Sequence, residues 1–91
     1  VLAVVKTQES EVRDRIAYLL ENVVKEMASG AEGIEVKYAS GERTTVYQIN
    51  VPQEHRGKLI GAQGKNITSL RNILAAMAGS HGFRAIIELV V

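Results

Sequence analysis

Apolar residues recur in the N-terminal third at Val12, Ile16, Leu19, Leu20, Val23, Val24 and Met27. The spacing follows the 3.6-residue period of a helix, which is predicted over residues 9–29 with that stripe turned inward. Thr7 or Ser10 is placed to cap its start, and Glu9 and Glu11 sit where the helix field favours negative charge. Ser29-Gly30 is the predicted stop, with glycine in the left-handed cap. Residues 1–8 (VLAVVKTQ) are too short a run to settle by period, leaving a short strand, an irregular arm or the remnant of a preceding element. They are set apart as an N-terminal arm of uncertain structure, and 9–91 is read as one domain. A chain beginning at valine is read as having lost or omitted an upstream part.

The period then changes to two. Ile34, Val36 and Tyr38 alternate with Glu35 and Lys37, as in a strand with one wet face. Ala39-Ser40-Gly41-Glu42 is the predicted turn. The next strand, over 43–51, sets Thr45, Tyr47, Ile49 and Val51 against Thr44, Val46, Gln48 and Asn50, and Pro52 ends it. A short helix is expected over 53–60, then the turn Gly61-Ala62-Gln63-Gly64. A helix over 65–78 follows, with Ile67, Leu70, Ile73, Leu74 and Met77 as its apolar stripe. After the turn Gly79-Ser80-His81-Gly82 comes a last strand over 83–91, with Phe83, Ala85, Ile87, Leu89 and Val91 inward. The fold class is α+β, three strands with helices packed on one face. Ile86 and Val90 on the other face of the last strand read either as scattered surface residues or as an oligomer contact.

Composition narrows the chemistry. The chain has 91 residues, 46% hydrophobic and 23% charged, with one proline and no cysteine. A single globular domain fits that profile, and disulfides, cysteine-held zinc, iron–sulfur clusters and thiol catalysis are excluded. The five-residue apolar run VLAVV is far shorter than a membrane span of about 20 residues or a usual signal core. Absence of cysteine agrees with a cytoplasmic location. The net charge of +1 conceals an asymmetry: residues 1–50 carry six Lys/Arg against eight Asp/Glu, and residues 51–91 carry five against two. From His55 to Arg71 there are Arg56, Lys58, Lys65 and Arg71 and no acid, which hints at an acidic partner.

His55 and His81 are the candidate general bases near neutral pH, and neither has a spaced partner for a triad or a metal. Glu32 and Glu35 lack the convergence of a metal or glycosidase pair. No enzyme activity, cofactor or metal is expected.

The informative segment is Leu59-Ile60-Gly61-Ala62-Gln63-Gly64-Lys65-Asn66-Ile67, continuing to Arg71. Glycines bracket a tight turn, allow backbone angles closed to other residues and remove side chains that would hold a ligand away. The following helix opens with amides directed at the loop, and Lys58 and Lys65 flank it, an arrangement suited to phosphate. Dinucleotide and nucleoside-triphosphate loops are rejected. The first needs a preceding strand and a third glycine, and the second needs Ser or Thr after the lysine, where this chain has Asn66.

Leu59 to Arg71 resembles the Gly-x-x-Gly signature of a KH domain, and the order α-β-β-α-α-β resembles the type II arrangement with a three-stranded mixed sheet. More closely, residues 16–91 resemble the small single-domain bacterial KH proteins of the KhpA family. The landmarks are Asn50-Val51-Pro52, Glu54, Gly57-Lys58-Leu59-Ile60-Gly61 and the closing strand around Ile86-Ile87-Glu88. The resemblance implies single-stranded RNA held in a groove between the two short helices and a sheet edge, four nucleotides long, with the loop clamping the backbone. Carried onto this chain, the clamp is Gly61, Ala62, Gln63 and Gly64, and Lys58, Lys65 and Arg71 neutralise phosphates. Ile60, Ile67 and Leu70 form the floor, while Gln48, Ile49 and Asn50 offer edges or backbone groups to bases. Arg84 meets either a phosphate or Glu88 or Glu54. The loop departs from the pattern in having Ala62-Gln63 where many carry a cation, so modest, salt-sensitive affinity is expected. No aromatic residue is expected near the groove, which argues against a stacking platform.

The resemblance further implies an RNA chaperone, ribosome-associated or post-transcriptional regulatory role. It also implies a protein partner, either a second copy or a larger KH protein of the Jag/KhpB type. The alternative function is a protein-interaction or assembly domain that keeps the fold with little RNA affinity.

Overall fold

A computed structural model describes the backbone of residues 2–90 and the side chains of residues 11–90. The elements are α1 (Leu2–Met27), β1 (Glu35–Ser40), β2 (Thr44–Asn50), α2 (Gln53–Ile60), a 3-10 turn (Ala62–Gly64), α3 (Lys65–Ser80) and β3 (Arg84–Val90). The strands lie in the order β1-β2-β3, with β2 antiparallel to β1 and parallel to β3. Alternation along β2 buries Thr45, Tyr47 and Ile49, and β3 adds Ala85 and Ile87. The helices cover that one face, giving the type II KH topology.

The core is where the sheet meets the two long helices. Ile16, Leu20, Val24 and Ala28 of α1 and Ile67, Leu70, Leu74 and Ala78 of α3 are buried there, closed by Leu59 of α2. Leu20, Val24, Leu59 and Leu74 are essentially inaccessible, each contributing about 1.5–3 kcal/mol relative to exposure. The apolar stripes read from the sequence are wider than the faces the sheet covers. Leu19 and Val23 of α1 and Ile73 of α3 stay exposed, at 51, 40 and 53%, because two helices side by side saturate a three-stranded sheet and their flanks look outward.

Boundaries shift in instructive ways. Thr7 and Ser10 lie inside the course of α1 rather than at its cap. At its other end the Gly30 amide bonds to the Lys25 carbonyl (2.7 Å) and the Ser29 amide to Glu26 (3.1 Å). That crossed pair closes a helix through a left-handed residue, and Ser29 itself takes φ +60°, followed by Gly30 at +76°. The hairpin turn is Gly41-Glu42-Arg43, since Ala39 and Ser40 pair with Val46 and Thr45. α3 runs on through Gly79-Ser80, expected as a turn, and the same crossed pair (Phe83 to Ala78, Gly82 to Gly79) ends it at Gly82. Val91, expected to face inward, lies outside the described residues.

A polar seam ties α1 to the sheet. Arg13 Nε donates to Thr45 Oγ1 (2.8 Å), the Tyr47 hydroxyl donates to the Arg13 carbonyl (3.3 Å), and the Tyr38 hydroxyl donates to Asp14 (2.6 Å). The Tyr38 phenol is held above its usual range, chiefly by that bond to Asp14. Burial pushes Tyr47 up to about 12. Among the described residues Thr45 is the one polar residue in the buried set, and its hydroxyl is satisfied.

Candidate nucleic-acid interface

α2 ends at Gly61, whose amide still reaches the Gly57 carbonyl (2.9 Å) while its own angles swing to φ +77°, ψ 172°. That region is essentially closed to side chains. The next residues make a single turn, Gly64 amide to Gly61 carbonyl at 3.1 Å, with Gln63 at φ +57° and Gly64 at φ +73°. Lys65 then enters α3, and its amide is already spent on the Ala62 carbonyl. Gly64 occupies the cap position with no side-chain acceptor for the amides that follow it.

The two glycines do different things. A Cβ on Gly61 would lie 2.6–2.9 Å from the Asn66 side chain, which is pinned there by its Nδ2 donating to the Lys58 carbonyl (2.9 Å). Gly61 is therefore required by the loop's own packing. A Cβ on Gly64 would meet nothing nearer than Ile67 at 4.0 Å, so the space above it is open. Asn66 was not singled out from the sequence; nothing in its spacing signals that it stitches α3 to the end of α2.

The expected site residues divide into groups. Ala62, Gln63, Lys58 and Lys65 are exposed around the turn, and Lys58 Nζ donates to Ser29 Oγ (3.3 Å) at the end of α1. Ile60 is half-buried, whereas Ile67 and Leu70 are buried in the core beneath the loop. Gln48 and Asn50 lie on the helix-free face of the sheet, with Gln48 donating to Glu88 (3.1 Å), and Ile49 is fully buried. Both edges of β2 are taken by its neighbours. β2 is thus the central strand, with Ile49 in the core and Gln48 and Asn50 on the helix-free face, and the open edge on this side belongs to β3.

Alongside that edge runs a groove of about 500 Å³, lined by Arg71, Asn72 and Ala75 of α3 and by residues Phe83 to Ile87. Arg71 lies roughly 10 Å along α3 from Gly64 at the helical rise per residue. Phe83 corrects the expectation that no aromatic residue is near: its ring lines the groove, with the Arg13 guanidinium 4.2 Å from its centroid. Spacing concealed it because the second half of α3 and a turn separate Phe83 from Arg71. Arg84 makes no ion pair with Glu88 or Glu54 among the described residues, where Lys25–Glu21 (3.4 Å) and Lys37–Glu35 (3.7 Å) do pair. Also among the described residues, no three His, Cys, Asp or Glu side chains gather as a metal site, and no helix is long and apolar enough to cross a membrane.

A pair of helices joined through a Gly-x-x-Gly turn, packed on a sheet whose last strand runs parallel to its centre, defines the type II KH domain. Comparison with known proteins carries this to a family: the chain belongs to the KhpA/KhpB KH-domain family, whose model matches residues 17–89. Among curated proteins it is similar to the RNA-binding protein KhpA of Aquifex aeolicus, 32% identical over 72 residues, covering 79% of this chain and 91% of that one. The RNA-binding protein KhpA of Chlamydia caviae is 27% identical over 79 residues, covering 87% and 96%. That of Clostridium acetobutylicum is 28% identical over 72 residues, covering 79% and 96%. No solved structure gives a significant match.

Proposed function

We propose that the chain is a cytoplasmic, non-enzymatic RNA-binding protein that clamps single-stranded RNA at the turn 61–64 and leads it along the groove beside β3. The observation that carries the reading is the empty, left-handed position at Gly64, flanked by Lys58 and Lys65. A sugar-phosphate backbone can approach there as no side chain would allow. The relatives' printed name, RNA-binding protein, supports it. Lys58, Lys65 and Arg71 neutralise phosphates, which for single strands gives a salt slope of about −2 for three contacts.

The test is a matched pair. Gly64→Asn keeps a residue type that tolerates the left-handed region, and Gly64→Asp adds charge at nearly the same shape. Both should remain folded by circular dichroism, and Gly64→Asp should bind a short oligouridylate at least tenfold more weakly than Gly64→Asn. Equal binding by the native chain and Gly64→Asp would refute the clamp. Gly61 is unsuited to this test, since any side chain there also disturbs Asn66.

The reading extends to a role as RNA chaperone or post-transcriptional regulator, for which accelerated strand annealing is the assay. A second reading, an assembly domain joined to another copy or to a Jag/KhpB-type protein, is favoured by the exposed Leu19, Val23 and Ile73 on neighbouring helix flanks. Light scattering with and without such a partner addresses it.

A further inference from the structure

Serine stands where the end of α1 asks for glycine. The crossed pair that closes the helix, Gly30 amide to Lys25 carbonyl and Ser29 amide to Glu26 carbonyl, puts its left-handed residue at position 29. Ser29 takes φ +60°, a conformation that crowds a Cβ and that glycine, or asparagine after it, adopts at least cost. A side chain kept at such a position points to a use for it. Ser29 is exposed, so burial supplies none. Its hydroxyl does have a partner: Lys58 Nζ donates to Ser29 Oγ at 3.3 Å. Lys58 is thereby held at both ends. Its carbonyl accepts from Nδ2 of Asn66 (2.9 Å), the side chain packed against Gly61, and its ammonium is drawn to the end of α1. Among the described residues Lys58 makes no ion pair. An ammonium carries more donors than the one bond to Ser29 uses, and the Ser29 hydroxyl, accepting there, keeps its own proton to donate.

We propose that Ser29 is the positioning residue for Lys58: its hydroxyl holds the ammonium beside the end of α1, so that a phosphate of the bound strand meets a cation already in place. This rests on the RNA-binding reading and brings into it the end of α1, an element that belongs neither to the glycine turn nor to the groove beside β3. A freely moving lysine loses rotamer freedom when it contacts a phosphate, which weakens binding by about two- to tenfold for a fully ordered side chain. A hydrogen bond made beforehand removes part of that loss. The strain of a left-handed serine is then offset in binding rather than in folding.

The experiment sets Ser29→Gly and Ser29→Asn beside the native chain, each also in a Lys58→Met background, with thermal melts and titrations of a short oligouridylate. Both substitutions suit the left-handed angle and should raise the melting temperature. Asparagine has a carbonyl oxygen that accepts from Lys58 as the hydroxyl does, and glycine has nothing. Ser29→Gly should therefore bind about threefold more weakly while melting higher, and Ser29→Asn should bind as the native chain does. With Lys58→Met, which has no donor, the difference between serine and glycine should disappear. Native affinity in Ser29→Gly, equal losses in Ser29→Gly and Ser29→Asn, or a loss that persists with Lys58→Met would each overturn the positioning role while the clamp stands. If the native chain binds no oligouridylate, the positioning role falls together with the RNA-binding reading.

Discussion

The two ends of the groove are built by opposite means. At the turn 61–64 the backbone does the work: positive φ at Gly61, Gln63 and Gly64, with an uncharged Ala62-Gln63 tip. At the start of β3 the backbone is ordinary strand, and side chains supply the character, with Arg71, Phe83 and Arg84 lining the groove. A backbone-built end should be costly to alter and to fail in folding. A side-chain-built end should be cheap to alter and to fail only in binding. Substitutions that separate folding from binding are therefore the way to break the comparison.

The largest effect is expected at Gly61. Gly61→Ala places a methyl in a region of φ/ψ that costs about 1–3 kcal/mol for any side chain. It also drives the new atom into Asn66 and threatens the bond to the Lys58 carbonyl, worth about 0.5–1.5 kcal/mol. A total loss of ~2–4 kcal/mol should appear in urea melts. Asn66→Ala in the same chain should relieve only part of it, because the Asn66 Cβ also lies within 2.9 Å and the strained angles remain. A loss below about 1 kcal/mol for Gly61→Ala would show that the loop is softer than a backbone-built end requires.

Alkali tests the other end through the seam behind it. Tyr47 is fully buried and donates to the carbonyl of Arg13, the residue that holds Phe83. Its folded pKa is raised, to about 12, above the model-peptide value of 10. The protonated form is thus favoured by folding: the contribution is complete below pH 10, declines between pH 10 and 12 and is gone above. Chemical denaturation across that window should show falling stability in the native chain and a flatter profile in Tyr47→Phe. Equal slopes in the two proteins would mean that the phenol is not sheltered as the seam implies.

The same contrast explains what could be read from the sequence. The element order and the glycine turn were legible because each is written locally, in a helical or alternating period and in Gly61-Ala62-Gln63-Gly64. The alternation of β2 was legible, with Thr45, Tyr47 and Ile49 on one face, and Gln48, Ile49 and Asn50 were expected to offer edges or backbone groups to bases. Pairing order bears on the backbone groups alone, since those of β2 are shared with strands on both sides, and no local pattern states which strand lies between two others. Phe83 was read as an inward residue of the last strand, and its place beside Arg13 and Arg71 escaped for a related reason, since only tertiary packing makes it. Asn66 escaped because a solvent-exposed asparagine in the first turn of a helix looks the same whether or not a glycine five residues earlier is shaped around it.

The smallest expected effect sharpens the comparison most. Gly57 lies inside α2, its φ is not positive, and a Cβ there would meet nothing within 4 Å. Neither conformation nor packing within the chain calls for glycine, which in a helix interior costs about 0.5–1 kcal/mol relative to alanine. Gly57→Ala should therefore stabilise the fold by up to that amount in thermal melts, the opposite sign from Gly61→Ala four residues on. If the backbone-built end extends back along α2, the same methyl stands where a ligand approaches, and oligouridylate affinity should fall severalfold as stability rises. Stability and affinity moving together would instead confine the backbone-built end to the turn itself.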